Sequence, residues 1–412
     1  MNKSSYTMQR REFIRSSMLA SLSMCLPRVS FGRVDSESRF VLIILRGAMD
    51  GLAAVAPYGE KHYENLRGEL ALDKPGSTKG ALKLDGLFAL HPSLNNLYAC
   101  YQQKELVVLH AIASPYRERS HFDGQDLLEN GTTQPHAAID GWLNRALPGM
   151  KGMHRDSEEF AMAFAHNVPL VLRGVQRVGS WVPSKLPATD DDTLQRIEQM
   201  YATDPYFASR LQTAMQTDAI ANEKEDGSDN NSMSPNKIGN STLSAITSAA
   251  AKMLKQVDGP RVAVMDATGW DTHANQGAAN GQLATRLSGL DTAIDTLRSE
   301  LGAVWQQTVV VIATEFGRTV AVNGTRGTDH GTASCAFAVG GAINGGRVIA
   351  DWPGLASHQL YQGRDLMPTT DLRALFKGVL LEHMGVSELS LESRVFANSH
   401  NLKPLSGLIR SS

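Results

Sequence analysis

Disulfide chemistry is nearly absent from this chain. Its 412 residues hold three cysteines, Cys25, Cys100 and Cys335, which form neither a framework nor a metal-type pair. The fold is therefore not built on cross-links, and at most one late Cys100–Cys335 bridge stays open. Long apolar runs are missing as well. Residues 18–24 are a short, serine-rich apolar stretch, and no later segment is long enough for a transmembrane helix. No long basic run follows the N-terminus, and the formal net charge is -2, which argues against nucleic-acid binding. Internal repeats are not found. Gly340-Gly341 and Gly345-Gly346 precede no helical pattern, so they read as tight turns and not as a nucleotide cradle.

What is present begins at the N-terminus. Arg10 and Arg11 are followed by Glu12, Phe13, Ile14 and Arg15, the paired-arginine, aromatic, aliphatic and basic order of a twin-arginine signal. The charged, apolar and breaker regions come in the order of an address, so residues 1–32 read as a signal segment outside the fold. This predicts export in a folded state with the twin-arginine translocase as partner. The destination is the periplasm, the cell surface or the extracellular space.

Apolar residues make up 42% of the chain and charged residues 20%, the balance of a globular protein with a sizeable core. Residues 39–400 read as a single α/β domain. Continuous apolar runs at 40–45, 106–112, 261–265, 308–313 and 335–339 predict strands buried on both faces. Between the third and fourth, Leu283, Leu287, Leu290, Ile294, Leu297 and Leu301 recur at alternating four and three, the stripe of an amphipathic helix. A helix joining two buried strands is a βαβ crossover, so a layered fold with a largely parallel central sheet flanked by helices is expected. Residues 191–221 and 371–384 carry helical patterns, the latter stopped by Gly385. The polar stretch 222–240 reads as a mobile surface loop.

Residues able to bind or react gather beside the strands. Asp50 follows the first, and Ser120-His121-Phe122-Asp123 the second. Asp271-Thr272-His273 follows the third, Glu315-Phe316-Gly317-Arg318 the fourth, and Asp329-His330 precedes the fifth. Ligands of open α/β sheets bind outside the carboxyl ends of the strands, and four of these clusters fall on that edge. The fifth reaches it if its loop folds back. Asp and His supply the oxygen and nitrogen donors that zinc or manganese accepts, and Asp271 and His273 can turn toward one ion.

The order of these clusters resembles a family of twin-arginine-exported bacterial proteins with a domain of unknown function (1501), related to the alkaline phosphatase and sulfatase superfamily. The segments His273-Ala274-Asn275 and His330-Gly331-Thr332 are similar to the family pattern. The resemblance implies an alkaline-phosphatase-like fold. It implies a divalent metal, zinc or manganese, held by Asp50, Asp271, His273, Glu315 and His330. Ser120, or a water, would be the nucleophile, and Arg318 would hold the anionic group. The implied activity is hydrolysis of phosphate esters or related anionic esters, on a small molecule or a polymer. The alternative is a non-catalytic extracytoplasmic binding or assembly protein that keeps the metal. Phe316 stands where a second late-strand ligand would be and cannot ligate, and no Cys-x-Pro-x-Arg exists for a formylglycine. Asp50 equally reads as a helix cap, Ser120 as an N-cap, and Arg318 as the partner of a nearby carboxylate.

Overall fold

The computed structural model describes residues 37–153, 160–183, 191–201, 204–222 and 238–411. The signal segment 1–32 lies outside the described residues, as do residues 223–237 of the polar stretch; Asn222 closes one helix and Ile238 opens the next.

A nine-stranded sheet runs through the molecule. In chain order its strands are β1 (Arg39–Arg46), β2 (Leu106–Ala113), β3 (Ala161–Phe164), β4 (Gly179–Ser180), β5 (Val262–Thr268), β6 (Thr308–Thr314), β7 (Ser334–Val339), β8 (Arg347–Ile349) and β9 (Thr370–Asp371). The spatial order is β8-β2-β7-β6-β1-β5-β3-β4, with β9 also paired to β2. The helices that matter below are α1 (Gly51–Ala54), α2 (His121–Asn130), α3 (Ile238–Lys255), α4 (Gln282–Leu301) and α5 (Leu372–Glu382).

The apolar runs become strands because each residue of β1 from Phe40 to Leu45 has a wall to pack on. Val41, Ile43 and Leu45 enter one core with Leu254 of α3 and Leu287, Leu290 and Ile294 of α4. Phe40, Leu42 and Ile44 enter another with Leu375, Phe376 and Val379 of α5. Helices on both faces make the layered α/β arrangement. β1 pairs in parallel with both β5 and β6, so the β5–α4–β6 crossover passes over it. Asp371 caps α5 by accepting from the Arg373 N–H, and Gly385 follows that helix with φ 73°.

One strand departs from the parallel pattern. β7 is antiparallel to both β2 and β6. Its start therefore lies at the carboxyl edge of its neighbours, and the loop carrying His330 needs no folding back. Cys100 and Cys335 are both buried free thiols, so no bridge joins them. Among the described residues no helix is long and apolar enough to cross a membrane.

Candidate metal centre

The five clusters lie on four connections that converge at the carboxyl edge. After β1 the chain turns at Gly47, with φ +120°, and a Cβ there would sit 2.7 Å from the Asp271 amide nitrogen. Only glycine allows this approach, and it lets the Gly47 N–H donate to Glu315 Oε1 at 2.8 Å. After β2 the chain passes Arg119, held at φ 63°, and enters α2 at His121.

Three imidazoles meet there. The His121 and His330 Nε2 atoms are 3.0 Å apart, and those of His273 and His330 are 2.9 Å apart. Asp271 joins them. Its Oδ1 lies 2.9 Å from His273 Nε2 and 3.2 Å from His330 Nε2, and its Oδ2 lies 3.4 Å from His121 Nε2. His121, Asp271 and His330 form a group that could hold a metal ion. Asp271 and His273 are half-exposed, so the group opens to solvent.

The opposite ring nitrogens all have acceptors. His121 Nδ1 faces Glu315 Oε1 at 2.8 Å, His330 Nδ1 the Arg119 carbonyl at 3.0 Å, and His273 Nδ1 Asp329 Oδ1 at 3.3 Å. Glu315 is fully buried and also accepts from the Gln125 amide and the Thr314 hydroxyl. Burial works to raise its carboxyl, but the His121 contact and the backbone and Gln125 donors outweigh it and hold the pKa below the ordinary value. The hydrogen bond to Glu315 raises His121 against burial, whereas burial and the nearby His121 lower His330. Of the two facing rings, His121 is the more basic. Burial likewise opposes ionisation of Asp271, and Arg318 overcomes it, bringing the carboxyl below its usual range.

The structure redistributes several roles expected from sequence. Asp271, His273 and His330 come together, although His330 is far from the pair in the chain. Asp50 does not join them. Its Oδ1 caps α1 through the Leu52 and Ala53 N–H groups, and its Oδ2 is held by Arg67 and Gln276. Glu315 stands behind His121, gripping Nδ1, and is not turned to the Nε2 side. Arg318 is sealed, with its side chain 0% exposed, and donates to Asp271 Oδ1 at 2.5 Å and to the Thr328 hydroxyl and carbonyl. Its position is that of a carboxylate partner, not of a clamp open to substrate. Ser120 sits at the N-cap position of α2 without a side-chain capping bond, its N–H donating to the Tyr116 hydroxyl at 3.0 Å. Phe316 is buried and stacks on His121 at 5.0 Å between ring centroids, forming an apolar wall.

His121 is the member that sequence reasoning passed over. It stood beside Ser120 in a cluster already noted, but a hydroxyl role was sought there. The signal that identifies it is a histidine at the first position of a helix following a buried strand. Asp329, in the cluster that supplied His330, was overlooked in the same way.

A layered α/β sheet protein with a histidine–aspartate centre at its carboxyl edge is thus the class that fold and site define. The chain belongs to the family described as protein of unknown function (DUF1501), matched over residues 106–396. Among solved structures it is similar to the phosphonate monoester hydrolase of Agrobacterium radiobacter, at 11% identity, covering 76% of this chain and 70% of that one with a TM-score of 0.36. It is similar to alkaline phosphatase from the Antarctic bacterium TAB5, at 16% identity, covering 76% and 94% with a TM-score of 0.36. It is also similar to the phosphonate monoester hydrolase SpPMH from Silicibacter pomeroyi, at 12% identity, covering 89% and 76% with a TM-score of 0.39. Likenesses this distant carry no argument about chemistry. No curated protein matches the chain.

Proposed function

We propose that this chain is an exported, divalent-metal-dependent hydrolase of phosphate esters or related anionic esters. One observation carries the reading: the Nε2 atoms of His121 and His273 each approach that of His330 beside Asp271, while the Nδ1 of each of these rings faces an acceptor. The acceptors assign the proton of each neutral ring to Nδ1. The lone pairs of His121 and His273 then both face that of His330, an arrangement that a bound cation relieves. Glu315 adds to this, since among the described residues its one ion-pair partner is the His121 ring, and a buried carboxylate is costly without positive charge beyond it. The donor set fits zinc or manganese better than calcium, which takes oxygen throughout. Tetrahedral donors on bonds near ~2.0 Å lie about 3.3 Å apart, close to the spacings here.

A divalent cation at this position supplies Lewis-acid polarisation of an ester oxygen. The chain supplies the rest. Glu315, the Arg119 carbonyl and Asp329 fix the three rings, and Arg318 keeps Asp271 ionised. Ser120, at the positive end of α2 and free of capping duty, offers the hydroxyl for attack, and that end of the helix favours an alkoxide. Phe316 shields the rear of His121 from water.

A second reading, a non-catalytic extracytoplasmic protein with a structural metal, is favoured by His273 standing as a further donor 2.9 Å from both His330 Nε2 and Asp271 Oδ1, since structural sites fill every position with protein donors. Elemental analysis of the purified full chain, combined with phosphoesterase and sulfatase substrate panels, separates the two. Metal with turnover that Ser120→Ala abolishes supports the hydrolase; metal without turnover supports the second reading. A folded chain that takes up neither zinc nor manganese refutes both. Replacing Arg10 and Arg11 with lysine should trap the protein in the cytosol, because the pair is read as an address and not as charge. Unchanged export of that double variant would remove the localisation from the proposal.

A further inference from the structure

The sealing of Arg318 leaves the site without the anion clamp that the sequence offered. We propose that Arg364 takes this part, binding the tetrahedral oxyanion (phosphate or sulfate) of the substrate. The inference rests on the metal reading above.

Arg364 is tied to the centre through the backbone of a histidine that lines it, its Nη2 donating to the His330 carbonyl. Its Nε lies 3.5 Å from Asp365 Oδ1, a contact too long for a hydrogen bond, and its side chain stays 42% exposed. The guanidinium is therefore anchored at one edge and open at the other. A guanidinium presents five donors in a fixed fork, which suits two oxygens of one tetrahedral anion.

Three other arginines at this edge are spent. Arg318 is enclosed by Asp271 and Thr328. Arg119 pairs with Asp365 Oδ2 at 2.8 Å and Gln362 at 2.7 Å. Arg117 donates to the Ser114 and Tyr116 carbonyls. Asp365, fully buried, hydrogen-bonds Arg119 through Oδ2 and faces Arg364 only across the longer Oδ1 contact, so one carboxylate is shared between two guanidiniums.

The charges around the centre set the condition for binding. Asp271, Glu315, Asp329 and Asp365 are matched in number by Arg117, Arg119, Arg318 and Arg364. A divalent cation tips that balance to positive, so an anion is attracted most strongly to the loaded site.

The test is calorimetric titration of inorganic phosphate, and separately of sulfate, into the zinc-loaded full chain. The variants are Arg364→Ala, Arg364→Gln and Arg326→Ala. Arg364→Gln keeps an amide able to donate to the His330 carbonyl, so it reports on charge if the alanine variant loses metal. Arg326 is an exposed neighbour bonded to Asn275 Oδ1 at 2.6 Å and serves as the control. The proposal expects saturable binding of at least one anion by the loaded wild type and weaker binding by the chelated protein. It expects binding weakened roughly ten- to a hundred-fold in both Arg364 variants, as for loss of a charged hydrogen bond, and unchanged in Arg326→Ala. Zinc stoichiometry in Arg364→Gln should equal that of the wild type. Equal anion affinity in Arg364→Gln and wild type overturns the proposal, as does a zinc-loaded wild type that binds neither anion. A wild type that takes up no metal overturns the reading beneath it, and the stoichiometry alone distinguishes that result.

Discussion

Two sets of histidines in this molecule are handled in opposite ways. His91 and His110 are fully buried within the fold, and each has both ring nitrogens answered by backbone. His110 Nδ1 accepts from the Ala111 N–H at 2.8 Å while Nε2 donates to the Val55 carbonyl at 2.9 Å. His91 does the same with the Ser93 N–H at 3.0 Å and the Ala278 carbonyl at 2.9 Å. These rings are complete as neutral groups, and burial pushes His110 from 6.5 down to about 4. At the sheet edge, by contrast, His121, His273 and His330 have one nitrogen answered and turn the other toward one another. A histidine that only packs uses both nitrogens locally, whereas one held for a ligand keeps a nitrogen in reserve.

The sharpest way to break this comparison is His330→Ala, because its Nε2 touches both other rings. Bound zinc or manganese should fall from about one per chain to near zero. With it should go the stabilisation of the metal-saturated wild type, about 3–4 kcal/mol for ligand at a hundred to a thousand times Kd. Elemental analysis and melting curves with and without chelator measure both. A His330→Ala protein that keeps its metal would place the ion elsewhere.

Glu315→Gln tests whether the nitrogen facing away from the centre matters. The amide retains the volume but removes the carboxylate that orients His121. Metal affinity should drop about ten- to a hundred-fold. Competition with a chromogenic chelator reads this directly, and an unchanged affinity would reduce Glu315 to packing.

The packing set makes its own prediction about acid. A histidine with its folded pKa depressed to about 4 contributes stability that is complete above the unfolded value of 6.5. That contribution is lost as the pH falls toward the folded pKa, because the unfolded chain takes up the proton first. For His110 the loss amounts to about 2 kcal/mol by about pH 5. Urea denaturation of chelated protein at neutral and acid pH, in the wild type and in His110→Gln, should show a shallower acid slope in the variant. Equal slopes would mean that His110 titrates freely in the folded state.

Gly124→Ala is the mildest probe. An added Cβ would lie 2.8 Å from Phe316 Cδ1, and Phe316 stacks on His121. Displacing that ring should cost about 1–2 kcal/mol, with a modest loss of metal affinity. A melting temperature equal to the wild type would show that Phe316 has room to move.

Much of this architecture was readable from residue order, for a definite reason. Strands such as β1 and β6 are covered on both faces, so they must be continuously apolar, and their runs stand out. β3 did not stand out, because Ala161-Met162-Ala163-Phe164 is short and has no β-branched residue. The direction of β7 was hidden as well. The connection from Glu315 to Ala333 forms no helix, and a connection of that kind fixes no parallel return. At the centre, Asp271, His273 and His330 were legible because ionisable residues at the ends of buried strands need partners. Asp50 and Arg318 show the limit of such reading. Each is the right residue type near the right strand, but sequence does not reveal which neighbour already occupies its donors or acceptors. Only the packing shows Asp50 committed to α1 and Arg67, and Arg318 to Asp271 and Thr328.

The reversed run of β7 has a consequence for how the protein is assembled. His121, Asp271 and His330 arrive from the ends of β2 and β5 and the start of β7, strands that are not one another's immediate neighbours in every case, since β6 and β1 lie between β7 and β5. No fragment ending before residue 330 contains the full donor set, and no local hairpin or helix brings it together. The ends are joined only when the middle of the sheet has zipped, late in a search dominated by long-range contacts. Metal uptake during refolding should therefore be a clock that starts after most helical signal has returned, reporting completion of the sheet and not its onset.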